Sequence, residues 1–152
     1  MGIVLQNYPN GHSAFGSNPP LPMVEKCAIA FHNGSRHTRC QVEVETLLDT
    51  GTDITIVKQE KFRELEQGMG RSRIPMKRHI QFSGTYRYAF PLTFVFPGGA
   101  SYVSQYGFIT TKSDDSWFDV GDVWLGQDVL AKLVVIFNGP AKTITIEDPH
   151  IP

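Results

Sequence analysis

Apolar and polar positions begin to alternate at Val24. Cys27, Ile29 and Phe31 fall on one face of an extended chain, and Cys40, Val42 and Val44 repeat the pattern beyond Asn33-Gly34. A period of two marks half-buried strands, and Asn-Gly between two apolar arms signals a two-residue hairpin turn. With Asn33 and Gly34 as the turn residues, the register sets Cys27 directly opposite Cys40. The returning strand runs into Leu47-Leu48-Asp49, and ITIV (54–57) continues as a β-branched strand. The period then changes. In KQEKFRELEQG (58–68), Val57, Phe62, Leu65 and Met69 recur at three- to five-residue spacing and Gly68 closes the run, which predicts a short amphipathic helix.

Beyond it, Ile80 and Phe82 alternate, Ser83-Gly84-Thr85 can turn, and Tyr86, Tyr88 and Phe90 alternate on the way back: a hairpin with a polar tip. SYVSQYGFIT (101–110) reads as one strand and KSDDSWFDVGD (112–122) as a loop. VWLGQDVLAKL (123–133) is an apolar strand that passes through Gly126 into one or two helical turns. VVIFNGPAKTITI (134–146) is two strands around Asn138-Gly139-Pro140. Many short strands, frequent turn signals and little helix predict an all-β fold. Residues 1–22 hold four of the ten prolines and show no period, so residues 1–21 are read as a flexible arm ahead of one domain at 22–152.

Composition adds bounds. At 152 residues with 41% hydrophobic and 19% charged residues, the chain suits a single domain with its own core. No apolar run approaches the roughly 20 residues that cross a bilayer. The N-terminal stretch lacks a basic region and a long apolar segment, so no secretory signal is expected, and Gln6 stands where a myristoylation motif needs Ser or Thr. A net charge of -1 predicts neither a nucleic-acid nor a membrane partner. The basic segment 71–79 is read as a solvated loop. A disulfide between Cys27 and Cys40 is geometrically allowed, but two reduced thiols fit the expected cytoplasmic location better. No zinc-type Cys or His spacing occurs, so neither metal nor cofactor is expected.

The candidate chemistry lies in LLDTGTD (47–53). An aspartate at the end of an apolar strand is held by a rigid element in a partly desolvated place, where its proton affinity is movable. Gly51 allows a sharp turn beside it, and Thr50 offers a hydroxyl and an amide. Downstream, WLGQD brings a second tight glycine crossing. LLDTGTDITIV, followed by a hairpin and then by VWLGQDVL, resembles the retropepsins, single-domain aspartic proteases of retroviruses, retrotransposons and some cellular and bacterial proteins. The resemblance spans roughly residues 22–146 in element order.

It implies a closed, barrel-like all-β fold with one short helix in the C-terminal half, a flap hairpin and a homodimer. It further implies an endopeptidase in which Asp49 of each subunit activates water on an extended polypeptide, with Thr50 interlocking the subunits and Gly51 offering its carbonyl to substrate. Asp53 would receive substrate backbone. The flap, His79 to Phe90 with its tip at Gly84, would close over the peptide through Phe82, Ser83, Thr85 and Tyr86. Gly126, Gln127 and Asp128 would be structural residues near the site, although the family usually has Arg where this chain has Gln127. The Tyr8-Pro9 bond is of a type retropepsins cleave and suggests autoprocessing, although an incidental Tyr-Pro in a loose arm is the simpler reading. A retroelement member would be found in a virion-like particle. The competing expectation is a peptide-binding module of the same fold without turnover. A serine hydrolase finds little support, because GHSAF (11–15) lacks the second glycine of a nucleophile elbow.

Overall fold

The computed structural model describes residues 2–6, 22–32, 40–69, 78–82, 84–138, 140–141 and 143–150. Among the described residues, twelve strands form two sheets. In chain order they are β1 (Gly2–Gln6), β2 (Met23–Phe31), β3 (Val42–Leu48), β4 (Ile56–Val57), β5 (Arg78–Phe82), β6 (Thr85–Phe90), β7 (Leu92–Val95), β8 (Ser101–Val103), β9 (Phe108–Thr110), β10 (Val123–Leu125), β11 (Val134–Asn138) and β12 (Thr143–Glu147). Helix α1 spans Gln59–Met69 and α2 spans Gln127–Leu130. Nine strands form one sheet in the order β5-β6-β9-β4-β10-β3-β2-β7-β8, and β1-β12-β11 form a second. The larger sheet curls into a half-barrel with β5 and β8 at its edges, in place of the expected closed barrel. The longer helix, α1, lies in the first half of the chain; only the four-residue α2 matches the expected C-terminal-half helix.

The first hairpin follows the apolar alternation, but in a different register. Cys27 pairs with Val44 and Ile29 with Val42, so Cys27 faces a residue four positions beyond Cys40. A slip of four residues keeps every side chain on its own face, so burial alone does not fix the register. The Asn-Gly register would have set Ile29 against Thr38 and Phe31 against Arg36; the observed one puts Ile29 against Val42. Nearer the start of β2 a bulge between Val24 and Cys27 shifts the pairing by one further residue, with Lys26 at φ 60°. Both cysteines are free. Cys27 is fully buried, and burial pushes its thiol up to about 12. Cys40 packs against α1, its Sγ 4.0 Å from the Leu65 carbonyl oxygen.

Further differences are local. The stretch read as a single strand at 101–110 divides into β8 and β9 around a turn in which Gly107 takes φ 78°, pressed so close to the Phe90 carbonyl that a Cβ would lie 2.7 Å from its oxygen. Of ITIV only Ile56 and Val57 are strand. Residues 2–6, assigned to the loose arm, pair along β12 from Gly2–Glu147 to Gln6–Thr143. The rest of the arm, including Tyr8 and Pro9, the basic segment 71–77 and the turn residues Asn33 and Gly34 lie outside the described residues.

Phe31, Phe94, Phe96, Phe108, Leu65 and Leu125 are among the largest fully buried side chains, and the α1 face carrying Phe62 and Leu65 closes this core. A smaller cluster of Ile54, Ile56, Ala89 and Ile109, flanked by Ile80, Phe82, Phe118 and Trp124, fills the space beneath the β5–β6 hairpin. Among the described residues, no helix is long and apolar enough to cross a membrane.

Candidate active site

β10 lies between β3 and β4. It runs parallel to β3, with Leu125 opposite Leu48, and antiparallel to β4, with Trp124 opposite Ile56. Because β3 and β4 are not neighbours, their connection, residues 49–55, must arch over the end of β10. Asp49 is the first residue of that arch. Its amide donates to the Leu125 carbonyl at 3.0 Å, which fixes the aspartate to the last residue of the central strand. The half-buried Asp49 side chain accepts the Gly51 amide on Oδ1 at 3.0 Å, and its Oδ2 carries no hydrogen bond among the described residues.

The chain leaving β10 passes directly beneath the arch and is bonded to it at each step. The Gly126 amide donates to Thr55 Oγ1 at 3.1 Å, Gln127 N–H to the Thr52 carbonyl at 2.8 Å and Asp128 N–H to the Asp53 carbonyl at 3.1 Å. Gly126 is required by space. A Cβ there would lie 2.8 Å from Ile54 backbone atoms and 2.9 Å from the Thr52 carbonyl oxygen. Asp128 turns its carboxylate inward, accepting Thr55 Oγ1–H at 2.7 Å and Thr55 N–H at 3.1 Å. Gln127 donates through Nε2 to the Thr50 carbonyl at 3.0 Å. It therefore ties the arch without adding charge. Thr55 is fully buried and joins three of these bonds, although in the sequence it is one β-branched residue of a strand pattern and its only signal is a hydroxyl close to the aspartate.

Across from the arch stands the β5–β6 hairpin, paired from Arg78–Ala89 to Phe82–Thr85, with Gly84 at φ 79° in its turn. Between hairpin and arch lies an open cavity of about 580 Å³, lined by Gly51, Asp53, Ile54, Ile80, Phe82 and Tyr106 among others. Phe82 thus meets the arch, whereas Gly84, Thr85 and Tyr86 are exposed and do not line this cavity. Ser83 lies outside the described residues. Tyr86 pairs with Gln81 on the opposite face and is 68% exposed.

The fold matches that of a solved retropepsin-like aspartic protease from Rickettsia conorii, with a TM-score of 0.52 over 96% of this chain and 90% of that one, at 10% sequence identity. The chain has a retropepsin-like fold. No protein-family model matches it, and no curated protein matches it either. The likeness is therefore one of backbone course.

The hairpin is anchored at a place the sequence did not announce. Arg87 in β6, almost fully buried, forms a two-pronged ion pair with Asp115, with Nη2 to Oδ1 at 2.8 Å and Nη1 to Oδ2. The guanidinium also lies 5.9 Å from the ring centroids of both Phe82 and Trp117. Hydrogen bonding to Arg87 holds the Asp115 carboxyl below its ordinary value, assisted by the Lys112 amide. The β5–β6 hairpin is thereby fastened at its middle to the loop 112–119. Among the described residues no group of three His, Cys, Asp or Glu side chains could hold a metal ion.

Proposed function

We propose that the chain is an aspartic endopeptidase whose active centre is completed by a second copy of itself. The observation that carries this reading is the setting of Asp49. It is the first residue of an arch bonded rigidly to the chain beneath it, with one carboxylate oxygen committed to Gly51 and the other unbonded among the described residues, and the next residues of that arch, Gly51 to Ile54, line a cavity that the β5–β6 hairpin closes from the other side. Positioning of that quality, on strand ends and not on a free loop, is what a reacting carboxylate needs.

One carboxylate is not enough. Hydrolysis of a peptide bond without a metal or covalent intermediate takes two acids sharing a proton. The ionised one draws a proton from water, while the protonated one hydrogen-bonds the scissile carbonyl and helps protonate the leaving amine. Like charges held together split their titrations, so the dyad titrates as a pair, the behaviour for which aspartic proteases are the standard case. Only one Asp-Thr-Gly occurs in the sequence. A two-fold axis beside Asp49 supplies the second. Thr50, exposed at the same end of the arch, would then meet its symmetry mate.

The surface supports a second copy. β11 is an edge strand with Val134 44% and Ile136 51% exposed on one face and Phe137 41% exposed on the other, apolar surface of the kind soluble chains normally cover. In the assembled enzyme the β5–β6 hairpin acts as the flap, laying an extended polypeptide along the cavity and excluding water.

The test is incubation of the wild type and its Asp49→Asn variant with a diverse peptide mixture from about pH 4 to 7, with products sequenced by mass spectrometry. Cleavage that the Asn variant abolishes supports the protease. Absence of cleavage by a folded dimeric wild type refutes it and leaves the peptide-binding module.

A further inference from the structure

We infer that the cavity beside Asp53 is a subsite for a lysine or arginine side chain of the polypeptide, an inference that rests on the same protease reading and narrows its substrate class. Asp53 is the single acidic or basic residue that lines the cavity, and its side chain is exposed. The described residues around it leave that carboxylate unpaired. Gln127, the nearest amide-bearing side chain of the supporting segment, spends its Nε2 on the Thr50 carbonyl, and Asp128 spends its carboxylate on Thr55. Among the described residues no cation pairs with Asp53: Arg87 is committed to Asp115, and Lys112 Nζ donates to the Tyr86 carbonyl.

The remaining walls fit the rest of such a side chain. Ile54 is buried, and Ile80 and Phe82 on the β5 arm of the hairpin are half-buried; together they form an apolar surface for three or four methylenes, while the exposed Tyr106 also lines the cavity. Long cationic side chains bury their stems on such surfaces and keep the head in a polar place, and an aromatic ring beside the head adds to the attraction. A neutral substrate residue would bring the hairpin down over an uncompensated carboxylate, and an acidic one would add repulsion. Because a C2 assembly carries two Asp53 side chains, the preference should appear at two substrate positions placed symmetrically about the cut bond.

The experiment uses a randomised library of extended peptides. Wild-type cleavage products are sequenced, and in parallel the same library is captured on immobilised Asp49→Asn protein, eluted and sequenced. At the two symmetric positions, Lys and Arg should be enriched about threefold to tenfold over norleucine, the range expected of a partly desolvated ion pair. Asp53→Asn should remove that enrichment and leave other positions unchanged, while Asp53→Glu retains it. If Asp53→Asn does not fold, raising the salt from about 0.05 to 1 M must erode the wild-type enrichment. Enrichment that is absent, or that survives Asp53→Asn or high salt, overturns the subsite. No cleavage with cationic enrichment on the captured peptides would sink the protease reading and keep the subsite.

Discussion

Gly126→Ala asks whether the arch that carries Asp49 depends on the bare backbone crossing beneath it. The added methyl would sit 2.8 Å from the Ile54 carbonyl carbon and oxygen and 2.9 Å from the Thr52 oxygen, all backbone atoms, so no side chain can swing aside. The arch must lift or β10 must drop. Overpacking of a tight site costs about 1–3 kcal/mol. The displacement also stretches the Gly126–Thr55, Gln127–Thr52 and Asp128–Asp53 bonds, each contributing about 1 kcal/mol when well made. Partial loss of these brings the expected total to about 3–4 kcal/mol, or a fall of roughly 6–16 °C in melting temperature for a chain of this size.

Gly98→Ala is the internal control. Gly98 takes φ 96° with nothing within 4 Å of its would-be Cβ, so its penalty is conformational alone, about 1–2 kcal/mol. Urea unfolding followed by the fluorescence of Trp117 and Trp124 gives both values at once. If Gly126→Ala costs no more than Gly98→Ala, the close crossing is not what holds the arch, and the positioning argument for Asp49 fails with it. If Gly126→Ala loses stability as expected, cleavage by the residual folded protein should fall further than stability alone accounts for.

Asp115→Asn should destabilise by about 3 kcal/mol, because it strands a buried guanidinium; equilibrium unfolding measures it, and a change under about 1 kcal/mol would show the pair to be ornamental. The folded Asp115 carboxyl titrates below its unfolded value of 3.8, so its contribution is complete above that pH and is lost only as the pH falls through the lower folded value. The anchored hairpin should therefore persist through mildly acidic pH, and a wild type whose stability already declines steeply between about pH 6 and 5 would contradict this. In native protein at neutral pH, Cys40 should react with a thiol reagent first and the buried Cys27 only on unfolding, two thiols appearing in denaturant; fewer than two would mean a disulfide. Ile136→Asp on β11 should shift the sedimentation of the protein toward monomer without unfolding it, and an unchanged dimer would move the interface elsewhere.

Element type was legible where periodicity was strong. The alternation around Cys27, the 58–68 helix, the hairpin about Gly84 and the terminal hairpin all follow from local patterns of two or 3.6 residues. Pairing was less legible, because a four-residue slip preserves every face. The β2–β3 register is chosen by long-range packing of Ile29 against Val42, which Asn33-Gly34 cannot encode. The division of 101–110 into β8 and β9 turned on Gly107, whose positive φ and contact with Phe90 exist only once β6 is in place.

The site was half legible for a related reason. Asp49, Gly51 and Gly126 announce themselves because their chemistry or their lack of a side chain is local, whereas Thr55, Asp115 and Arg87 become functional only through partners 73, 28 and 28 residues away. The insertion of β10 between β3 and β4 links the two kinds. It forces the 49–55 connection to arch, makes room for nothing but glycine at 126, and brings Asp128 to Thr55 so that the arch is bonded from beneath. A single topological choice, invisible to any window of sequence, thus converts an ordinary Asp-x-Gly turn into a carboxylate held from below and left open above. The physical requirement it leaves unmet is a second acid, and that requirement argues that the complete site belongs to two chains.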